Sequence, residues 1–312
     1  MNPTKSSVFL PTLAILTTIV FWGMSFVSSK VILNAGVPPM TMVFLRFLCA
    51  SVILLPIFKR VQPGHRIQPG QRLPLILSGL FGVTIYFFFE ATGIRLTSAS
   101  SASMITATIP IFTILAEFLF YKTRVPWYKG IGVALSIIGV YFILQRSQHQ
   151  GTPQSLTGNL LMLGACMSWV TYIMLSKNLK KSFSGLALTT YQTLCGTLFL
   201  LPLALLEYRQ WVPIGLTTWL NILYLAIFCS ALGFFLYIYA LSKLGSVVIS
   251  SYINLIPVVS VTGGIILLKE SIGPFQILGG IMIIIGVFVV NLKSRAGIRH
   301  KKNYKHPLNK EI

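Results

Sequence analysis

The sequence predicts an all-α integral membrane protein of ten transmembrane helices, arranged as two inverted-topology five-helix repeats. Three observations lead there: ten apolar runs of spanning length, basic residues gathered on one side of them, and one internal offset at which the chain matches itself. Of the 312 residues, 54% are hydrophobic and 10% are charged. A soluble domain carries about 25% charged residues, so a water-soluble enzyme is excluded at the outset.

The first apolar run, 8–30, is too long for a signal-peptide core and lacks a small-residue cleavage site, so it stays as a helix. Further runs cover 40–58, 73–92, 99–120, 126–144, 156–176, 186–206, 217–241, 247–268 and 274–292. Each is close to the ~20 apolar residues that cross a bilayer. The breaks hold turn and polar residues, as in AGVPPM at 35–40 and KRVQPGHRIQPGQR at 59–72. Ten spans put both termini on one side, and the positive-inside rule selects which. Of the 25 Lys and Arg, Arg46 lies within a span and five (Lys30, Arg95, Arg146, Arg209, Lys269) fall on one side. The remaining nineteen fall on the side of the termini, which are therefore expected in the cytoplasm. The basic tail 296–312 reads as a topology anchor resting on anionic lipid rather than a nucleic-acid arm.

At an offset of 147, Trp22 meets Trp169, Phe87 and Phe88 meet Phe234 and Phe235, Pro110 meets Pro257, Gly132 meets Gly279, and Gly139-Val140 meets Gly286-Val287. The repeats are 1–147 (spans one to five) and 148–295 (spans six to ten). Five is odd, so the second copy enters the membrane from the opposite side. Charge agrees: the four basic residues of loop 59–72 face a mate holding Arg209 beside Glu207. Inverted repeats of this kind place a substrate site near the midplane and support alternating access.

Chemistry is narrowed by what is missing. All five acidic residues are Glu and no Asp occurs; there is no HExxH, GxxxxGK[ST] or GxSxG. Cys49, Cys166, Cys195 and Cys229 sit in apolar runs at spacings that fit neither zinc nor a disulfide framework. The four His lie in loops or the tail, so no enzyme, metal or cofactor is expected.

Ionisable groups inside spans need a reason. Glu117 ends a polar stripe of Ser103, Thr106, Pro110 and Thr113 on span four. It is read as a proton-coupling or cation-binding group, or as a side chain snorkelling toward Lys122 or Arg124. Glu90 shares a stripe with Gly79, Gly82 and Tyr86 and is expected to pair with Arg46, as a structural pair or as an outer gate or substrate clamp. Its repeat mate is Tyr237. Trp22 with Ser25, and Trp169 with Tyr172, are expected to face one cavity, where indole rings suit organic solutes and cations. Trp127, Trp211 and Trp219 lie at span ends and read as interfacial belt residues. Pro110 and Pro257 are expected to bend their helices, with Asn254 and Ser250 as hydrogen-bonding groups nearby. The substrate-binding set is thus Trp22, Ser25, Tyr86, Glu117, Trp169, Tyr172, Tyr237 and Asn254.

FWGMSFVSSKVIL, LRF at 45–47 and YFFFEATGIRLTSASSASMITATIPIFTILAEFLFYK resemble the first repeat of the EamA family of the drug/metabolite transporter superfamily. ALGFFLYIYALSKLGSVVISSYINLIPVVSVTGGIILLKESIGPFQILGGIMIIIGV resembles its second repeat, and the likeness covers about residues 8–292. Glu270 sits where that family usually has a Glu, while its first-half equivalent here is Thr123. The resemblance implies a ten-helix carrier of the cytoplasmic membrane, with a cavity lined by spans one, three, four, six, eight and nine. The expected function is secondary transport, by export, of a small organic metabolite or drug-like solute, coupled to protons or facilitative. A non-transporting scaffold or a channel is the alternative. The expected partners are that solute, H+ and membrane lipids, with no nucleic acid, and the chain is a monomer or homodimer.

Overall fold

The computed structural model describes residues 5–64, 67–121, 127–149, 153–179, 182–244, 249 and 252–292. Every regular element among them is helical. Eight helical stretches are long and apolar enough to cross a bilayer: Phe9–Asn34, Pro39–Val61, Pro69–Leu96, Ala99–Phe120, Trp127–Leu144, Ser155–Ser176, Gly185–Leu206 and Leu216–Leu241. Two shorter apolar helices, Ile256–Leu268 and Pro274–Val289, follow. The chain is a multi-pass membrane protein.

In chain order the helices are α1 (Lys5–Asn34), α2 (Pro39–Val61), α3 (Pro69–Gly79), α4 (Tyr86–Leu96), α5 (Ala99–Thr106), α6 (Ile109–Tyr121) and α7 (Trp127–His149). They continue as α8 (Pro153–Leu179), α9 (Gly185–Leu206), α10 (Leu216–Tyr224), α11 (Gly233–Leu244), α12 (Ile256–Leu268) and α13 (Pro274–Leu292). Two π-helical segments, Leu80–Ile85 and Leu225–Leu232, join α3 to α4 and α10 to α11. Span four is broken at Ala107-Thr108 ahead of Pro110, and Asn254-Leu255 form a turn ahead of Pro257. A proline has no N–H to donate and its ring clashes with the preceding turn, so both helices restart at the residue before it. Ser250 lies outside the described residues.

Polarity is distributed as lipid requires. Leu119, Phe120, Leu198 and Ile266 are exposed to between 68% and 80%, which in water would drive aggregation and in lipid is ordinary solvation. Thr18, Ser78, Ser100 and Thr190 are fully buried. Lipid tails are as apolar as Leu, so helix association rests on close packing and interhelical hydrogen bonds instead of apolar burial. Ser51 and Thr197, 3.1 Å apart, make such a bond between α2 and α9.

The main helix contacts are α7 on α13, α2 on α9, α1 on α11 and α12, and α8 on α3, α4, α5 and α6. Shifting by 147 residues maps α7·α13 and α2·α9 onto themselves and exchanges α1 on α11 and α12 with α8 on α4 and α6. The α7·α13 seam shows it at atomic scale. A Cβ on Gly139 would lie 2.6 Å from the carbonyl oxygen of Gly279, and a Cβ on Gly286 would lie 2.6 Å from that of Gly132. These are the same contact with the two halves exchanged, and it closes because Gly139, Gly279 and Gly286 carry no Cβ.

Candidate functional site

Where the two sets of helices meet, the π segments create polar opportunities in the middle of the membrane. A π turn widens the helix and leaves carbonyls off the regular ladder. Side chains of the other half take two of them: Trp22 Nε1 on α1 donates to Cys229 O at 3.0 Å, and Ser168 Oγ on α8 donates to Phe81 O at 2.7 Å. Glycines admit these partners. Gly82 touches the ring of Tyr172, and a Cβ on Gly233 would crowd Trp22 Nε1 at 3.0 Å.

Around these contacts lies an aromatic cluster. Trp22 packs against Phe234 and Tyr237 at centroid separations of 5.3 and 5.4 Å. Trp169 packs against Tyr86 and Tyr172 at 4.9 and 4.8 Å. Trp22 and Trp169 occupy equivalent repeat positions but differ in their neighbours, because the mate of Tyr86 is Gly233. Trp22 therefore reaches a backbone carbonyl. No protein partner for the indole N–H of Trp169 is found among the described residues. Trp127, Trp211 and Trp219 are by contrast exposed at helix ends, to 73%, 52% and 37%.

A cavity of about 50 Å³ lies between the halves, lined by Phe47, Phe87, Trp169, Tyr172, Gln192 and Ser230 among others. One or two waters would fill it, too little room for a solute of metabolite size. Gln192 knits its wall, donating to Ser78 Oγ and Ser176 Oγ at 2.9 and 3.1 Å and accepting from Tyr172 Oη at 3.3 Å. Two buried charges lie near the cavity without lining it. Arg46 and Glu90 are 6% and 7% exposed. Glu90 accepts from Tyr86 Oη at 2.9 Å, while Arg46 Nε donates to Ser230 Oγ at 3.0 Å. The guanidinium stands over Phe87 and Phe47, 4.7 and 5.2 Å from their centroids. Arg46 and Glu90 interact through space, and among the described residues no direct ion-pair contact joins them.

The remaining expected residues are spread more widely. Ser25 Oγ turns back to the Trp22 carbonyl of its own helix at 2.7 Å. Asn254 is half-buried in the turn before α12. Glu117 belongs to α6, but its side chain, like Thr123, Lys122 and Arg124, lies outside the described residues. No group of three or more His, Cys, Asp or Glu suited to a metal occurs among the described residues.

Sequence reasoning missed two carboxylate caps at one end of the bundle. Glu207, just after α9, accepts from Met40 N, Thr41 N and Thr41 Oγ1 at 3.2, 2.8 and 3.0 Å, holding the N-terminus of α2. Glu270, just after α12, accepts from Ala99 N, Ser100 N and Ser100 Oγ at 2.8, 3.1 and 2.6 Å, holding that of α5. Unsatisfied amides at a helix start attract an anion. Lys269 adopts φ 55°, a left-handed turn that swings Glu270 back over α12. Gly264 leaves it room, since a Cβ there would lie 2.7 Å from Glu270 Oε2. At the same end Lys30 Nζ caps α4 by donating to the carbonyls of Ile94, Arg95 and Thr97. The partners of Glu207 and Glu270 are more than 160 residues away, and no local pattern announces them.

Known proteins share this arrangement. A solved crystal structure superposes with a TM-score of 0.64 at 18% identity, over 94% of this chain and 99% of its own, which shows the fold. "Uncharacterized transporter YetK" of Bacillus subtilis is 28% identical, with 88% of this chain and 86% of that protein aligned. "Probable terminal-alkyne amino-acid exporter" of Streptantibioticus cattleyicolor is 28% identical over 90% and 93% of the two chains. "Probable amino-acid metabolite efflux pump" of Salmonella typhimurium is 29% identical over 88% and 92%. Residues 10–145 and 156–292 each match the EamA-like transporter family, to which this chain belongs.

Proposed function

We propose that the protein is a secondary transporter exporting a small organic solute across the cytoplasmic membrane by alternating access of two inverted five-helix halves, with both termini in the cytoplasm. The observation that carries this reading is the exchange of helix contacts under one offset, with a small, largely aromatic cavity lying between the exchanged sets. A carrier needs two arrangements of similar energy, and packing that maps onto itself when the halves are swapped supplies them. A central space of about 50 Å³ favours a carrier over an open pore. The names of the relatives in Streptantibioticus and Salmonella favour amino-acid-like solutes and the outward direction. Proton coupling would fall to Glu117, and facilitated diffusion is the alternative.

The test compares metabolites in the medium of cells expressing the protein with those of cells lacking it, followed by counterflow in proteoliposomes. An exporter raises one class of compound outside, saturates and shows counterflow. A channel conducts without either property. A scaffold leaves medium and vesicles unchanged.

A further inference from the structure

We infer that Arg46 is the receptor for a single carboxylate on the carried solute, an inference that rests on the transporter reading above. A buried arginine within a span costs roughly 2.5–3.5 kcal/mol on insertion scales, so its surroundings must account for it. They do so only in part. Nε is held by Ser230 Oγ, and the plane of the head is set by Phe47 and Phe87. The two terminal nitrogens have no protein partner among the described residues. Phe47, Phe87 and Ser230, the three residues that hold the head, all line the central cavity. Glu90, which feels the charge of that head, accepts from Tyr86 Oη and makes no ion-pair contact with it among the described residues.

A group needed only to neutralise Glu90 would gain most by direct contact. This head is instead held at one edge by Ser230 and rests against the paired rings of Phe47 and Phe87, with its terminal nitrogens free of protein partners among the described residues. The guanidinium fork matches a carboxylate with two parallel N–H···O bonds. Lysine, a point charge on a flexible stem, does not reproduce that fork. Trp169, Tyr172 and Phe234 on the same cavity would take an apolar or aromatic body. The class of solute is therefore a molecule with one carboxylate and an apolar portion, amino acids included. Arg46 meets this cavity through Phe47, Phe87 and Ser230 and does not line it, and no other Lys or Arg lines it among the described residues, so a second carboxylate or a phosphate would find no second cation.

The experiment uses the purified full-length protein in nanodiscs and follows its tryptophan fluorescence, since Trp169 lines the cavity and Trp22 packs on Phe234. The probes are L-phenylalanine, hydrocinnamate, L-phenylalaninamide and phenethylamine. The two acids are expected to half-saturate at concentrations about tenfold or more below the amide and the amine. Arg46→Gln should erase that preference, and Arg46→Lys should keep only part of it. Equal binding of acid and amide, a preference surviving Arg46→Gln, or no response to any of the four overturns the inference. The wild-type ratio of acid to amide needs no variant, so it decides the matter even where Arg46→Gln fails to fold. Counterflow separates this from the broader reading: phenethylamine carried while the acids are ignored keeps the transporter and removes Arg46 as receptor.

Discussion

The two ends of the bundle are closed by different chemistry. At the end where α2 and α5 begin, Glu207 and Glu270 each gather two backbone amides and a hydroxyl. At the other end of α2 and α9, Phe58, Leu75, Leu179, Phe183 and Leu188 form an apolar cluster, accompanied by a hydrogen bond of 2.9 Å from Ser184 Oγ to Gln62 Oε1. The same helices are thus pinned polar at one end and apolar at the other. Charge-assisted hydrogen bonds are directional and are lost within a fraction of an ångström. Apolar contacts allow sliding and weaken gradually. Under the proposed alternating access, the polar end would open as a discrete event and the apolar end by small shifts. The positions equivalent to Glu207 and Glu270 in the first half are Arg60 and Thr123, so the difference is written into the sequence of the two halves.

Substitutions can break this contrast or sharpen it. Glu270→Ala strands the amides of Ala99 and Ser100 and should cost about 2–3 kcal/mol, read as a lower unfolding midpoint in detergent. Glu207→Ala should behave alike, and Glu270→Gln, which keeps one accepting oxygen, should lose less. Leu179→Ala at the opposite end leaves a void in the apolar cluster. Because lipid is itself apolar, the loss should sit at the low end for a buried leucine, about 2 kcal/mol. A larger loss there than in Glu270→Ala would reverse the comparison. Ser51→Ala, midway between the ends, removes the bond to Thr197 and should cost about 0.6 kcal/mol, since Thr197 keeps its own bond to Thr193 O at 2.7 Å.

Much of the scaffold was legible because the membrane imposes a simple rule: about 20 apolar residues for each crossing. Pro110 and Pro257 marked helix breaks because proline cannot donate. The site was harder to read. Opposite charge suggested that Arg46 would contact Glu90, yet a hydroxyl 184 residues away holds its Nε, because the π segment of the other half carries Ser230 to it. Helical spacing grouped Trp22 with Trp169 as facing one cavity, yet only Trp169 lines it; their unequal neighbours depend on Gly233 standing where Tyr86 has its mate. Gln192, which ties Ser78, Ser176 and Tyr172 together, gave no signal, because a polar residue in a span shows its role only through partners on other helices.

The π segment Leu80–Ile85 acts through the carbonyls it frees. Such a segment winds one extra residue into a helix without adding a turn, so the residues beyond it keep the bearing they would have in a regular helix one residue shorter. Deleting one residue there would restore that regular helix and leave α4, with Tyr86 and Glu90, facing as it does now. What would vanish is the wide turn itself, and with it the off-ladder carbonyl of Phe81 that Ser168 Oγ reaches at 2.7 Å. The extra residue thus serves a polar contact between the halves and not the aiming of the helix that follows.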